Sequence, residues 1–161
     1  MEHLTLLNLQ LTEKIDLLNQ FDLSNDLLPR QLEVLASFFQ AYLAKPDMPI
    51  LQEGATNHYF CLIAEGKADI VKNDECDQPK KIGSISHGKF VGEISFFDKG
   101  TCSASIIAQG EVKLLVMDNS HFKKLCEEES PLALHIVLRM IPAITQKLRH
   151  TTGRLVDRLQ V

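Results

Sequence analysis

Phe90-Val91-Gly92-Glu93-Ile94-Ser95-Phe96-Phe97-Asp98-Lys99-Gly100-Thr101-Cys102-Ser103-Ala104-Ser105 interrupts a series of short strand patterns. In order it offers a glycine, a carboxylate, one apolar turn of helix and a small polar loop. A Gly-Glu pair opening a helical turn leaves backbone N–H groups without intrahelical partners at the positive end of a dipole, and such a turn can seat a phosphate. Glu93 beside it can accept from a sugar hydroxyl. The same residues suit a plain strand-to-strand crossover in which Phe96 and Phe97 plug a core, and residue types alone leave both readings open.

On either side of this stretch the apolar residues come in short runs: Tyr42-Leu43-Ala44, Ile50-Leu51, Tyr59 to Ala64, Ala68 to Val71, Ile82 to Ile85, Ser103 to Ala108 and Val112 to Met117. Turn formers separate them, at Pro46-Asp47, Glu53-Gly54, Glu65-Gly66, Asn73 to Pro79, His87-Gly88 and Gln109-Gly110. Short strands at regular spacing with turns between them predict an antiparallel sandwich or barrel of the jelly-roll kind over residues 40–118.

Helical periodicity brackets this β region. Leu4, Leu7, Leu11, Ile15 and Leu18 recur at steps of three and four and predict one amphipathic helix over 2–20. A second helix starts near Pro29, a residue suited to a first turn, and carries Leu32, Leu35 and Phe39. After Met117, Asp118 to Ser120 can cap a helix, and Ser130-Pro131 has the order of a fresh helix start. From there Leu138, Ile141, Thr145, Leu148, Thr152, Leu155 and Leu159 trace a heptad-like seam, which reads either as a dimer contact with a second copy or as a face packed on the chain's own barrel. Pro142 removes one backbone bond within that helix and predicts a kink.

The 161-residue length predicts one domain with a real core, divided into an N-terminal helical segment (1–39), the β region (40–118) and C-terminal helices (119–161). A net charge of −4 and a pI near 5.8 give none of the basic excess of a nucleic-acid binder. No apolar run is long enough to span a bilayer, and no leader pattern opens the chain, so the expected compartment is the cytoplasm. The four cysteines, Cys61, Cys76, Cys102 and Cys126, are scattered without a Cys-x-x-Cys pair, as reduced thiols would be. The six histidines form no ligand spacing, and the sequence holds no nucleophile elbow and no phosphate loop, so neither an enzyme nor a metal site is expected.

The stretch around Gly92 resembles the phosphate-binding cassette of the cyclic nucleotide-binding domain family, whose members include catabolite activator proteins and regulatory subunits of cyclic-AMP-dependent kinase. Phe90-Val91-Gly92-Glu93-Ile94 and Phe96-Phe97 match its Phe-Gly-Glu and apolar pair, and Ser103-Ala104 match its small residues. Glu53-Gly54, Glu65-Gly66 and Tyr59 to Ile63 resemble its glycine turns and central strand. The resemblance implies an α+β fold: an eight-stranded antiparallel β jelly-roll barrel with the cassette at 90–105, flanked by N-terminal and C-terminal helices. It further implies a cyclic AMP or cyclic GMP ligand, no cofactor, and relay of binding to the C-terminal helix.

In that family Gly92, Glu93, Ile94, Ser95, Ser103 and Ala104 would meet the ribose phosphate, and Thr151 and Thr152 would stand where a hydroxyl pair meets the base. The departure is Cys102, which occupies the place of the cassette arginine. A hydrogen bond to a charged group contributes ~1.5–3 kcal/mol, so its loss weakens binding by about 10- to 100-fold. Lys99, with the Thr101 hydroxyl, is the expected substitute charge, and Cys102 itself reads as a space-filler or, less commonly, as a redox-sensitive thiol. Two functions follow: a receptor for a cyclic nucleotide, or a scaffold that has lost its ligand and binds a partner or its own copy through residues 2–20 and 131–159. Neither includes a helix-turn-helix, so direct DNA binding is not expected.

Overall fold

The computed structural model describes residues 3–159, the side chains of 150 and 153–159 excepted. The elements run β1 (Thr5–Leu7), α1 (Leu11–Leu18), a 3-10 turn (Asp22–Ser24), α2 (Pro29–Ser37), β2 (Gln40–Ala44), β3 (Pro49–Leu51), β4 (Tyr59–Glu65) and β5 (Lys67–Asn73). They continue with β6 (Pro79–Ser86), β7 (Phe90–Val91), α3 (Glu93–Asp98), β8 (Ser105–Ala108), β9 (Val112–Asp118), α4 (Asn119–Glu128) and α5 (Ser130–Leu159). Every strand pairing is antiparallel, in two sheets ordered β1-β2-β9-β4-β7 and β3-β8-β5-β6. The fold is an α+β jelly roll built as two facing sheets.

Side-chain alternation on β4 and β9 explains the layering. Cys61 and Ile63, with Val112, Leu114 and Val116, face the smaller sheet and meet Ala68, Ile85 and Ile106. Phe60, Leu62 and Ala64, with Leu115 and Met117, face the other way and meet α1, α2, α4 and α5. A strand buried on both faces needs apolar residues at every position, which is why Tyr59 to Ala64 reads as an unbroken run. Between β4 and β5 the chain turns through Gly66 at φ +91°, where an added Cβ would lie 2.5 Å from the Glu111 carbonyl.

One sequence expectation is corrected. Residues 2–20 do not form a single helix: Thr5–Leu7 is an edge strand, with Leu6 opposite Tyr42, and the helix begins only at Leu11. The Gln10 N–H donates to the Glu13 carboxylate at 2.7 Å and so fixes the helix start. Elsewhere α2 begins at Pro29 and α4 follows the Asp118 cap, whose carboxylate accepts from the His121 N–H at 2.9 Å.

The last helix does two jobs. Leu132, Ala133, Ile136 and Met140 bury its first half against the helical layer. His135 contacts the Leu23 carbonyl at 2.8 Å, and Arg139 pairs with Asp26 at 2.5 Å. Past Pro142 the helix passes over the cassette.

Candidate functional site

Gly92 lies in the left-handed region at φ +81° and opens α3. A Cβ there would come within 2.9 Å of both the Asn57 side-chain nitrogen and the Tyr59 carbonyl, so only glycine fits without displacing backbone. The buried Asn57 amide ties this corner together, reaching the Gly92 carbonyl at 3.1 Å, the Tyr59 carbonyl at 2.5 Å and the Ser95 hydroxyl at 3.2 Å. Phe96 anchors the turn from the other side, packing edge-on against Phe60 and Phe122 at 5.0 and 5.4 Å between ring centres. The core plug and the loop geometry are therefore consequences of the same turn.

Outside the turn lies a cavity of about 810 Å³. Its floor is Gly92 to Ser95 and Cys102 to Ala104, its side wall comes from β5 and β6, and Ala143, Gln146, Lys147 and Thr151 of α5 close it. Glu93 is only 1 % exposed, and its carboxylate accepts from the Lys147 ammonium at 2.6 Å. Lys147 also donates to the Phe90 carbonyl at 3.2 Å. A buried carboxylate needs such a partner, since desolvation without one costs several kcal/mol. Among the described residues the charged ones lining the cavity are Lys72, Lys89, Glu93 and Lys147, an excess of cations in a chain with net charge −4.

Of the residues expected from sequence, Gly92, Glu93, Ile94, Ser95, Cys102, Ser103, Ala104 and Thr151 line this cavity. Three of the expected residues lie elsewhere. Lys99 is exposed at the end of α3 with φ +58°, Thr101 is exposed in a bridge with Thr56, and Thr152 turns its hydroxyl to the Leu148 carbonyl at 2.9 Å. The Thr151 hydroxyl likewise donates within the helix, to Lys147 at 2.9 Å. Cys102 is buried, faces the sandwich core as well as the cavity, and lies 3.7 Å from the Ser95 hydroxyl.

Sequence reading missed Lys72, Lys89 and Lys147. For Lys147 a signal existed, because Ala143, Gln146, Lys147 and Thr151 share one helical face by spacing. Lys72 had none beyond standing two residues after Ile70 on a strand. Among the described residues no three His, Cys, Asp or Glu side chains converge as metal ligands, and no helix is long and apolar enough to cross a membrane.

A family model for the cyclic nucleotide-binding domain matches residues 44–129. The chain belongs to that family. The match contains the whole cassette but not α5, which brings Lys147 and Thr151 to the domain's cavity. A relative in Thermus thermophilus, a cyclic AMP receptor protein, is 27% identical over 113 residues, covering 70% of this chain and 52% of its own length. The regulatory subunit of cAMP-dependent protein kinase from Candida albicans is 28% identical, over 94% of this chain and 33% of that subunit. The chain thus spans about half the length of the one and a third of the other. In fold it is similar to a cyclic nucleotide-binding domain from Methylobacillus flagellatus, with a TM-score of 0.83 over 98% of this chain and 90% of that one at 24% identity.

Proposed function

We propose that this domain senses a cyclic mononucleotide of the cyclic AMP or cyclic GMP class and passes the signal to α5. The observation that carries the reading is the Glu93–Lys147 contact: the carboxylate expected to receive a ribose hydroxyl is held, at 2.6 Å, by the helix that closes the cavity. A sugar hydroxyl arriving at Glu93 competes with the lysine or shares the carboxylate with it, and either event changes what fastens the far half of α5. The near half stays anchored through Arg139 and His135, so the change is confined beyond Pro142. The roles of the receptor and regulatory-subunit relatives support a regulatory, non-catalytic domain. Four free cysteines suit a reducing compartment, the cytoplasm.

A second reading is favoured by one residue. Cys102 cannot supply the two-pronged, charge-assisted contact of an arginine, and a cavity without it could survive as a scaffold that dimerises through α5. Titration calorimetry of the full chain with cyclic AMP and cyclic GMP separates the two. We expect heat of binding, tightened about 10- to 100-fold in Cys102→Arg, together with altered hydrogen exchange beyond Pro142. Absence of heat with either nucleotide at millimolar concentration retires the sensor and leaves the scaffold.

A further inference from the structure

Lys72 stands at the cassette although it belongs to another strand. Its ammonium donates to the Ser103 carbonyl at 2.7 Å and to the Glu53 carboxylate at 2.8 Å. Ser103 and Ala104 are the small residues that follow Cys102, and both line the cavity, as does Lys72 itself. We propose that Lys72 is the counter-charge for the anionic group of the ligand, standing in from β5 for the arginine whose place Cys102 takes. This assignment rests on the sensor reading above and extends it by naming how the site holds a phosphate without that arginine.

The geometry favours Lys72 over the other lysines. An ammonium has three N–H groups, and the described contacts engage two of them, leaving one for the cavity. Those two contacts fix a side chain that would otherwise be free, so little rotamer entropy remains to be lost when an anion binds. Lys147 is committed to Glu93, at the sugar end of the site. Lys89 lines the cavity from the turn before β7, and among the described contacts it is Lys72, not Lys89, that bonds to the Cys102–Ala104 loop. Lys99 does not line it. Glu53 tempers the charge of Lys72, and the pair is reciprocal: hydrogen bonding from Lys72, then from the Asn73 N–H, holds the Glu53 carboxyl below its ordinary range.

A lysine is a point charge and not a fork, so it should accept an anion with looser geometry than arginine would. The decisive quantity is the ratio of affinities for cyclic AMP and for adenosine, which carries no phosphate, measured by calorimetry on the full chain. The ratio should fall on the order of 10- to 100-fold in Lys72→Met and stay within a few fold of wild type in Lys72→Arg. Lys89→Met removes the same charge from the same cavity and should change the ratio far less. Glu53→Gln keeps an acceptor for the ammonium but removes the competing negative charge, and should raise the ratio.

A purely structural Lys72 would make Lys72→Met and Glu53→Gln move together, because both break one ion pair; that result overturns the proposal. So does an unchanged ratio in Lys72→Met, an equal fall in Lys89→Met, or wild-type protein that binds adenosine as tightly as cyclic AMP. In each of those cases the nucleoside cavity stands and only the counter-charge is lost. Wild-type protein that binds neither compound removes the sensor reading itself, and this assignment with it.

Discussion

Glu93 and Lys147 are unequal partners. The carboxylate is 1 % exposed, whereas the lysine side chain retains 41 % of its exposure. Removing the lysine therefore strands a buried acceptor, while removing the acid leaves a cation that can turn to water. Lys147→Ala should lower the unfolding free energy by about 1–3 kcal/mol and Glu93→Gln by less, as read from urea denaturation at neutral pH. Equal effects would mean that the pair is solvated. Cys61 shares this neighbourhood: burial pushes its thiol up, the Glu93 carboxylate pushes it further, and the Lys147 ammonium only partly opposes them. Cys61 and Cys102 are buried, and Cys76 and Cys126 are exposed. A thiol titration of the folded protein should accordingly count two reactive groups, rising to four in denaturant. Fast reaction of a third thiol in the native state would reopen the redox reading of Cys102.

At the scale of elements, α4 joins β9, the central strand of the five-stranded sheet, to α5, and its start depends on Asp118. Burial alone would raise that carboxyl, but bonds from the Ser120 hydroxyl, the His121 N–H and the His121 ring outweigh it and hold Asp118 below its ordinary range. A folded-state value below the unfolded one stabilises the fold above the unfolded value, and the gain disappears as pH falls through the folded one. Asp118→Ala should cost about 1 kcal/mol at pH 7, and the gap from wild type should narrow in urea melts carried toward about pH 3. A gap independent of pH would assign the loss to packing. Seven of the nine strands among the described residues, all but β1 and β7, were legible because each is a short run closed by turn residues, and β4 and β9 read as continuous runs because both of their faces are covered. The N-terminal helix was misread because a three-residue strand is too short to show its own period, so Leu4 and Leu7 fell into step with Leu11 and Ile15 by chance of spacing. Gly92 to Ser95 and Cys102 to Ala104 could be found because they are contiguous. Lys72 could not, since strand pairing brings it to the loop from outside the motif, and the shared helical face that signalled Lys147 does not by itself show that α5 docks over the cassette.

For the molecule as a whole, α5 presents two apolar faces and the domain uses only one. Leu132, Ala133, Ile136 and Met140 are spent on the core, yet Leu134, Leu138, Ile141 and Leu148 remain 47–66% exposed. The steps from Leu138 through Ile141 and Thr145 to Leu148 are those of a coiled-coil seam, and Leu155 and Leu159, which would continue it, lie outside the described side chains. Of the two readings of this helix, packing on its own barrel is disfavoured for these positions, because they do not face the core. A second copy offers the same seam in two-fold register, and covering a leucine contributes about 1.5–3 kcal/mol. Sedimentation equilibrium should then show a dimer, and Leu138→Glu with Leu148→Glu should weaken it by two or more orders of magnitude, taking that value from the same burial term. Because both side chains are exposed within the subunit, the dilute double variant should keep the melting temperature of the dilute wild type. A wild-type protein that stays monomeric up to millimolar concentration would leave the exposed stripe to some other surface. It would also confine any relay through Lys147 to a single subunit.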